Sequence, residues 1–208
     1  MPHRRWDERY ENAQVPWDTG VPEPHLVELV EEGAVRPGRV LEIGCGTGTN
    51  AIWLAEQGFT VHAVDISPRA IELAEQKRRS AGASVRLTTA NFLVDEIGDD
   101  AFDFVFDRGV FHVFDEPDDR TQFAKHVARL LAPSGLWVSL IGSTEGPPRD
   151  HGPPRRSAGD IVAAVEPVLE VLTLHATGFH GDIPSPAKAW LMMAQAREVP
   201  AQPSTRRG

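Results

Sequence analysis

The chain has 208 residues, of which 41% are hydrophobic and 25% charged, a balance suited to one domain around a single substantial core. Its 21 Lys and Arg against 30 Asp and Glu give a formal charge of −9, with no basic cluster beyond short terminal pieces, so no nucleic-acid partner is expected. Cys45 has no second cysteine to pair with, no apolar run reaches membrane-spanning length, and Met1 to Trp6 lack the apolar core of a secretion signal, so a cytoplasmic protein with no membrane partner is expected.

Residues 1 to 24 carry Trp6, Tyr10 and Trp17 among charges and prolines and stand outside the regular pattern, as an arm. A helix is expected from His25 to Glu32, primed by Pro24 and closed by Gly33. Val40-Leu41-Glu42-Ile43 then reads as a buried strand, Gly44 to Gly48 as a tight turn, and Thr49 to Gln57 as a helix. A second strand, Phe59 to Val64, ends at Asp65, and Ser67-Pro68 starts a helix from Arg69 to Ser80 with the hydroxyl as cap. Strands follow at Val85 to Thr88 and Phe102 to Asp107, then a helix from Pro117 to Leu131 and a strand from Leu136 to Ile141. Ser157, with Asp160 three residues on, caps a helix to Glu166. The β-rich runs Val168 to His175 and Ala187 to Ala196 read as a closing hairpin with one strand antiparallel to the rest. This alternation points to a mostly parallel sheet covered on both faces. Gly142 to Arg156, with its repeated Gly-Pro-Pro-Arg, is expected to be an extended loop, and 199 to 208 a disordered tail.

Closely spaced glycines let the backbone approach a ligand, and the helix behind them aims its free N–H groups at the same place. An acid at the end of the second strand suits two ribose hydroxyls, so a nucleoside-containing cofactor is implied. A dinucleotide fingerprint would be G-x-G-x-x-G, whereas here the pattern is E-x-G-x-G-x-G with Thr49 at the third glycine's place. Glu42 puts a negative charge beside the turn, which suits a cation and repels phosphate. S-adenosylmethionine, with an ammonium and a sulfonium and no phosphate, is favoured over NAD.

Glu42 to Gly48, followed by Val64-Asp65-Ile66-Ser67, resembles the first two motifs of class I S-adenosylmethionine-dependent methyltransferases. Ala90-Asn91-Phe92, Phe102 to Gly109 and the Leu130-Leu131-Ala132-Pro133-Ser134-Gly135-Leu136 turn extend the match over about residues 38 to 142. Val15-Pro16-Trp17-Asp18-Thr19-Gly20 and Asp107-Arg108-Gly109 narrow it to the branch of thiopurine S-methyltransferases and thiol/halide methyltransferases. The resemblance implies an α/β class: one Rossmann-like, doubly wound, mostly parallel seven-stranded sheet with a C-terminal antiparallel hairpin strand. Residues 1–198 would be a single domain, 1–24 its lid and 142–156 a loop over the acceptor site.

On this basis the expected cofactor contacts are Trp17, Glu42, Gly44, Cys45, Gly46, Gly48, Asn50, Asp65, Ile66, Asn91, Phe92 and Asp107. Asp65 would take the ribose and Asn91 the adenine edge, with Phe92 either beside the ring or simply core. Trp17 would be either a lid facing the sulfonium or part of an arm packed on the sheet. Cys45 reads as a small residue in a crowded turn, since nothing marks it as a thiolate. Arg108 would orient an anionic acceptor, or else pair with Asp107 or Asp103. His112 would be a base for a thiol or hydroxyl, or a histidine without a chemical task. His151, His175 and His180 are too loosely spaced for a metal motif, so no metal is expected. The expected partner is a small-molecule acceptor, a thiol or other soft nucleophile before an O or N acceptor, bound by a monomer or weak dimer. A cofactor-binding module without catalysis is the rival from another class.

Overall fold

A computed structural model describes residues 2–98, 101–147, 152–180 and 186–197. The tail from 199, His151 and the middle of the 142–156 loop lie outside the described residues. Seven strands form one sheet: β1 (Arg39–Ile43), β2 (Thr60–Asp65), β3 (Val85–Thr89), β4 (Phe102–Arg108), β5 (Leu131–Gly142), β6 (Leu169–Gly178) and β7 (Lys188–Ala196). Their order is β3-β2-β1-β4-β5-β7-β6. The pairs up to β5 are parallel, and β7 runs antiparallel to both β5 and β6. Strand order reverses between β1 and β4, which opens a crevice beyond their carboxyl ends.

The helices are α1 (Pro2–Glu11), α2 (Pro24–Glu31), α3 (Thr49–Glu56), α4 (Pro68–Ala81), α5 (Pro117–Leu130) and α6 (Ala158–Val165). Successive strand residues point to opposite faces, so the sheet feeds two cores. Phe104, Phe106 and Val138 pack with Leu26 and Leu54 on one side. Val105, Trp137 and Ile141 pack with Phe123, Val127, Ile161 and Val165 on the other. Burial on both faces is why β1 and β4 read as near-continuous apolar runs rather than alternating ones.

Local signals set the helix starts. The Ser67 hydroxyl accepts the N–H of Ala70, with Pro68 at the first position of α4. Ser157 and Asp160 form a reciprocal capping box on α6. Two expectations need correction. Residues 2–11 form a helix, whose i, i+4 pair Trp6 and Tyr10 makes an aromatic face packed with Trp17. The fifth strand begins at Leu131, not Leu136, because Leu131 already pairs with Phe102. An irregularity in register absorbs the Pro133-Ser134-Gly135 turn, with Ser134 at φ 62°. No helix among the described residues is long and apolar enough to cross a membrane.

Candidate active site

The turn after β1 is held from below by β2 and from above by the N-terminal arm. Gly44 and Cys45 donate their N–H groups to the Val64 carbonyl, at 2.7 and 3.0 Å. Gly46 donates to Oδ2 of Asp65 at 2.8 Å. Gly44 and Gly46 have φ of 69° and 54°, and a Cβ on either would fall 2.2 Å from Val110 or 2.8 Å from the Tyr10 hydroxyl. Glycine is therefore required at both positions. The loop side chains are tied as well: Lys77 Nζ donates to Thr47 and Thr49, and Thr47 donates to Asp18.

Over this turn lies a cleft walled by Tyr10, Trp17, Asp18, Glu23, Glu42, Gly44, Cys45, Gly46, Asn50 and Arg108 among others. Three carboxylates and one guanidinium make its wall acidic. Glu42 is one of the three carboxyl groups. Oε1 accepts from Asn50 Nδ2 at 3.0 Å, whereas the buried Oε2 has no hydrogen-bond partner. Burial, opposed by the Asn50 bond and by the Ala51 backbone N–H and reinforced by repulsion from Asp65, pushes its carboxyl up to about 8. An orphaned, buried carboxyl oxygen on an acidic cleft fits a ligand that brings its own positive charge. S-adenosylmethionine is such a ligand, and a pyrophosphate is not.

Of the expected contacts, Trp17, Glu42, Gly44, Cys45, Gly46 and Asn50 line the cleft, and Gly48 caps α3 beside it. Cys45 is buried, and burial with repulsion from Asp65 and Glu42 raises its thiol well above the ordinary range, which supports the reading as a small turn residue. Trp17 donates to the Tyr10 hydroxyl at 3.3 Å, and one face of its ring carries the Arg9 guanidinium at 5.4 Å.

Other residues stand elsewhere than expected. Asp65 is buried outside the cleft lining, its oxygens taken by the N–H groups of Gly46 and Ser67. Above it, Asp7 of α1 accepts the Ser67 hydroxyl at 2.5 Å and the Arg69 N–H at 3.3 Å. Each Asp65 oxygen keeps a second acceptor position, but α1 covers the approach; Ile66 beside it is half-buried. Asp107 does not reach the site: it is fully buried, and it accepts from Val110, Phe111 and the Trp137 indole. It therefore acts as an internal fastener of β4 to β5. Asn91 spends its side-chain oxygen on the Leu93 N–H, and Phe92 packs on Phe123 in the core, at 4.7 Å between ring centres.

Arg108 pairs with neither Asp107 nor Asp103. Its Nε donates to Glu23 Oε2 at 2.5 Å, Nη1 to the Trp17 carbonyl at 3.2 Å and Nη2 to the His180 carbonyl at 2.9 Å. It thus latches the N-terminal arm to the segment after β6. Three of its five N–H groups are used in this way, and two remain for an acceptor. His112 is buried, accepts the Gly142 N–H on Nδ1 at 2.8 Å, faces the Phe179 ring and does not line the cleft. Sequence reasoning missed Tyr10, Glu23 and His25, the last with Nδ1 2.7 Å from Glu23. Only Glu23's place beside the Val15–Gly20 motif hinted at a role. Among the described residues Glu23, His25 and His180 bring possible metal-ligating atoms within 4.8 Å of one another.

The profile of thiopurine S-methyltransferase (TPMT) matches residues 1–177. A probable thiol methyltransferase 2 of Arabidopsis thaliana is 32% identical over 151 residues, 72% of this chain and 65% of that protein. Thiocyanate methyltransferase 1 of Brassica oleracea is 32% identical over 170 residues, 79% and 70% of the two chains. A 2-heptyl-1-hydroxyquinolin-4(1H)-one methyltransferase of Mycobacteroides abscessus is 33% identical over 147 residues, 68% and 62%. The chain thus spans about two thirds of the length of these relatives. A solved structure described as "Conversion of a Disulfide Bond into a Thioacetal Group during Echinomycin Biosynthesis" superposes with a TM-score of 0.83 and 27% identity, over 94% and 93% of the two chains. The acidic glycine turn, the strand order and these matches lead to one conclusion: the chain belongs to the thiopurine S-methyltransferase family, and S-adenosylmethionine is its cofactor.

Proposed function

We propose that the protein transfers the methyl group of S-adenosylmethionine to a small thiol or another soft nucleophile. The observation that carries the cofactor half of this reading is the unpartnered Glu42 oxygen in an acidic, aromatic-covered cleft. When bound, the cofactor supplies an electrophilic methyl on a positively charged sulfur. Glu42 and Asn50 would hold its cationic end, the glycine turn its backbone-facing side, and Asp65 its ribose once α1 yields. Trp17 and Tyr10 exclude water above the turn, which favours displacement by a nucleophile held in line. Arg108, at the carboxyl end of β4, would offer its two remaining N–H groups to an anionic acceptor.

The soft-nucleophile assignment draws on relatives whose names specify thiol and thiocyanate acceptors. An O-methyltransferase is the second reading, favoured by the relative whose named acceptor is a hydroxyquinolinone. The test is methyl-labelled S-adenosylmethionine incubated with thiols, thiocyanate, phenols and amines. Label in a thioether or methyl thiocyanate supports the proposal; label only in an aryl ether or an N-methyl product replaces it.

A further inference from the structure

Glu23, His25 and Thr177 form a hydrogen-bonded chain beside the cleft that cofactor binding does not require. His25 lies in the first turn of α2, with its side chain 11% exposed and Nδ1 2.7 Å from Oε1 of Glu23, itself 1% exposed. Its other nitrogen, Nε2, lies 2.8 Å from Oγ1 of Thr177, near the carboxyl end of β6. The remaining Glu23 oxygen accepts from Arg108. Burial works against a charge on Glu23, but the bonds from His25 and Arg108 outweigh it, and its carboxyl stands below the usual range. Glu23 is therefore ionised at neutral pH.

That charge fixes the proton positions. An ionised carboxylate only accepts, so Nδ1 of His25 must carry a hydrogen. In the neutral ring Nε2 is then the acceptor, and the Thr177 hydroxyl directs its proton there. The Thr177 oxygen keeps lone pairs for an incoming donor. Further along the chain, Phe179 carries the Arg108 guanidinium at 5.3 Å and the His180 carbonyl accepts from it, and Arg108 itself lines the cleft. The charged or titratable groups facing His25 include Glu23, with Arg108 behind it, the His180 ring, 4.8 Å away between ring centres, and Glu28 at i+3 on the same helix.

We infer that Thr177 and His25 are the proton-accepting relay of the acceptor site, with Glu23 fixing the histidine tautomer. The inference rests on the methyltransferase reading and goes beyond it in assigning where the acceptor's proton goes. As an acceptor X–H reacts, its X–H bond breaks and the electron pair stays on X for the new bond to the methyl carbon. The methyl–sulfur pair remains on sulfur. The proton passes to Thr177 Oγ1 while the Thr177 hydroxyl proton moves to His25 Nε2, and Glu23 balances the resulting imidazolium. A carboxylate-oriented histidine suits this task at neutral pH. The same cluster is poorly arranged for a metal ion, because Nδ1 carries a hydrogen toward Glu23 and Nε2 is bonded to Thr177.

Two acceptors separate proton removal from everything else. At pH 7, 2-mercaptoethanol must lose a proton and thiocyanate has none to lose. His25→Gln and Thr177→Val should lower turnover with 2-mercaptoethanol by roughly tenfold or more, a typical share for general-base help, and leave thiocyanate within about twofold. Thr177→Ser should restore the thiol rate. With the variants, the thiol rate should climb with pH toward the pKa of 2-mercaptoethanol itself, while the wild type levels off earlier. Equal losses with both acceptors would overturn the relay, as would a Thr177→Ser variant as poor as Thr177→Val. Nitrogen-15 NMR of the histidine rings decides the matter without turnover: in the neutral ring His25 should carry its hydrogen on Nδ1 and none on Nε2. The opposite tautomer, or zinc displacing that signal at micromolar concentration, would refute the relay. Failure of the wild type with every acceptor would instead refute the methyltransferase reading and leave the NMR result to judge the relay.

Discussion

Glu42 offers a quantitative test of cofactor recognition. Its carboxyl, raised to about 8 by burial, is mostly protonated at pH 6 to 7 in the free protein. A cation delivered to the unpartnered Oε2 favours the ionised form, so binding must expel a proton. Each pH unit below about 8 then costs up to about 1.4 kcal/mol, or about tenfold in affinity. At pH 6 the dissociation constant should be up to about a hundredfold weaker than above pH 8, on the same conversion. Calorimetry at pH 6.5 in two buffers of different ionisation heat counts the protons, and close to one should be released. The ligand's own ammonium also titrates near pH 8, so the informative quantity is the wild type minus Glu42→Gln, in which that contribution cancels. The variant should bind with little pH dependence below 7.5 and release no proton. A wild-type affinity that is flat from pH 6 to 8, or a variant with the wild-type proton count, would refute the role given to Glu42.

The same group fixes the sign of a stability effect without ligand. A carboxyl raised above its unfolded value stabilises the fold fully below the unfolded pKa, and that contribution is lost as pH rises through about 8; Glu42→Gln should therefore gain in melting temperature relative to wild type between pH 5 and 8, which thermal scans at each pH will show. Asp107→Ala strands the Val110, Phe111 and Trp137 donors, so urea unfolding should register a loss on the order of 3 kcal/mol. Because Tyr10 of α1 and Trp17 line the cleft, deleting residues 2–20 should reduce turnover more than stability, and hydrogen exchange in that arm should slow when S-adenosylhomocysteine is added. Unchanged exchange would make the arm simple packing.

The parts of the fold legible in the sequence are those whose causes are local. The β1–turn–α3 unit depends on adjacent glycines, and the starts of α4 and α6 depend on Ser67-Pro68 and the Ser157–Asp160 box, all read within a few residues. The antiparallel hairpin strand followed from the order of β-rich runs. Helix α1 was not legible, because its sequence is mostly charged and its helical state depends on docking Asp7 and Tyr10 onto distant parts of the chain. The site divided along the same line. Gly44, Gly46 and Glu42 line the cleft at the end of β1. Asp107, Phe92 and Asn91 sit at strand ends as expected, yet their side chains turn to partners inside the fold: Trp137, Phe123 and Leu93. The Arg108–Glu23 pair joins residues 85 apart, and no spacing rule foretells such a contact. His112 followed from position alone, and position does not reveal that the Gly142 N–H occupies its ring nitrogen.

The most direct measurement is a side-by-side comparison of kcat/KM for 2-mercaptoethanol, thiocyanate, a phenol and an amine, read as S-adenosylhomocysteine release. The expected outcome is turnover dependent on S-adenosylmethionine, with both sulfur acceptors ahead of the phenol and the amine, and loss of most of that turnover in Arg108→Ala. A phenol or amine exceeding both sulfur acceptors, or an Arg108→Ala variant as active as wild type, would contradict it.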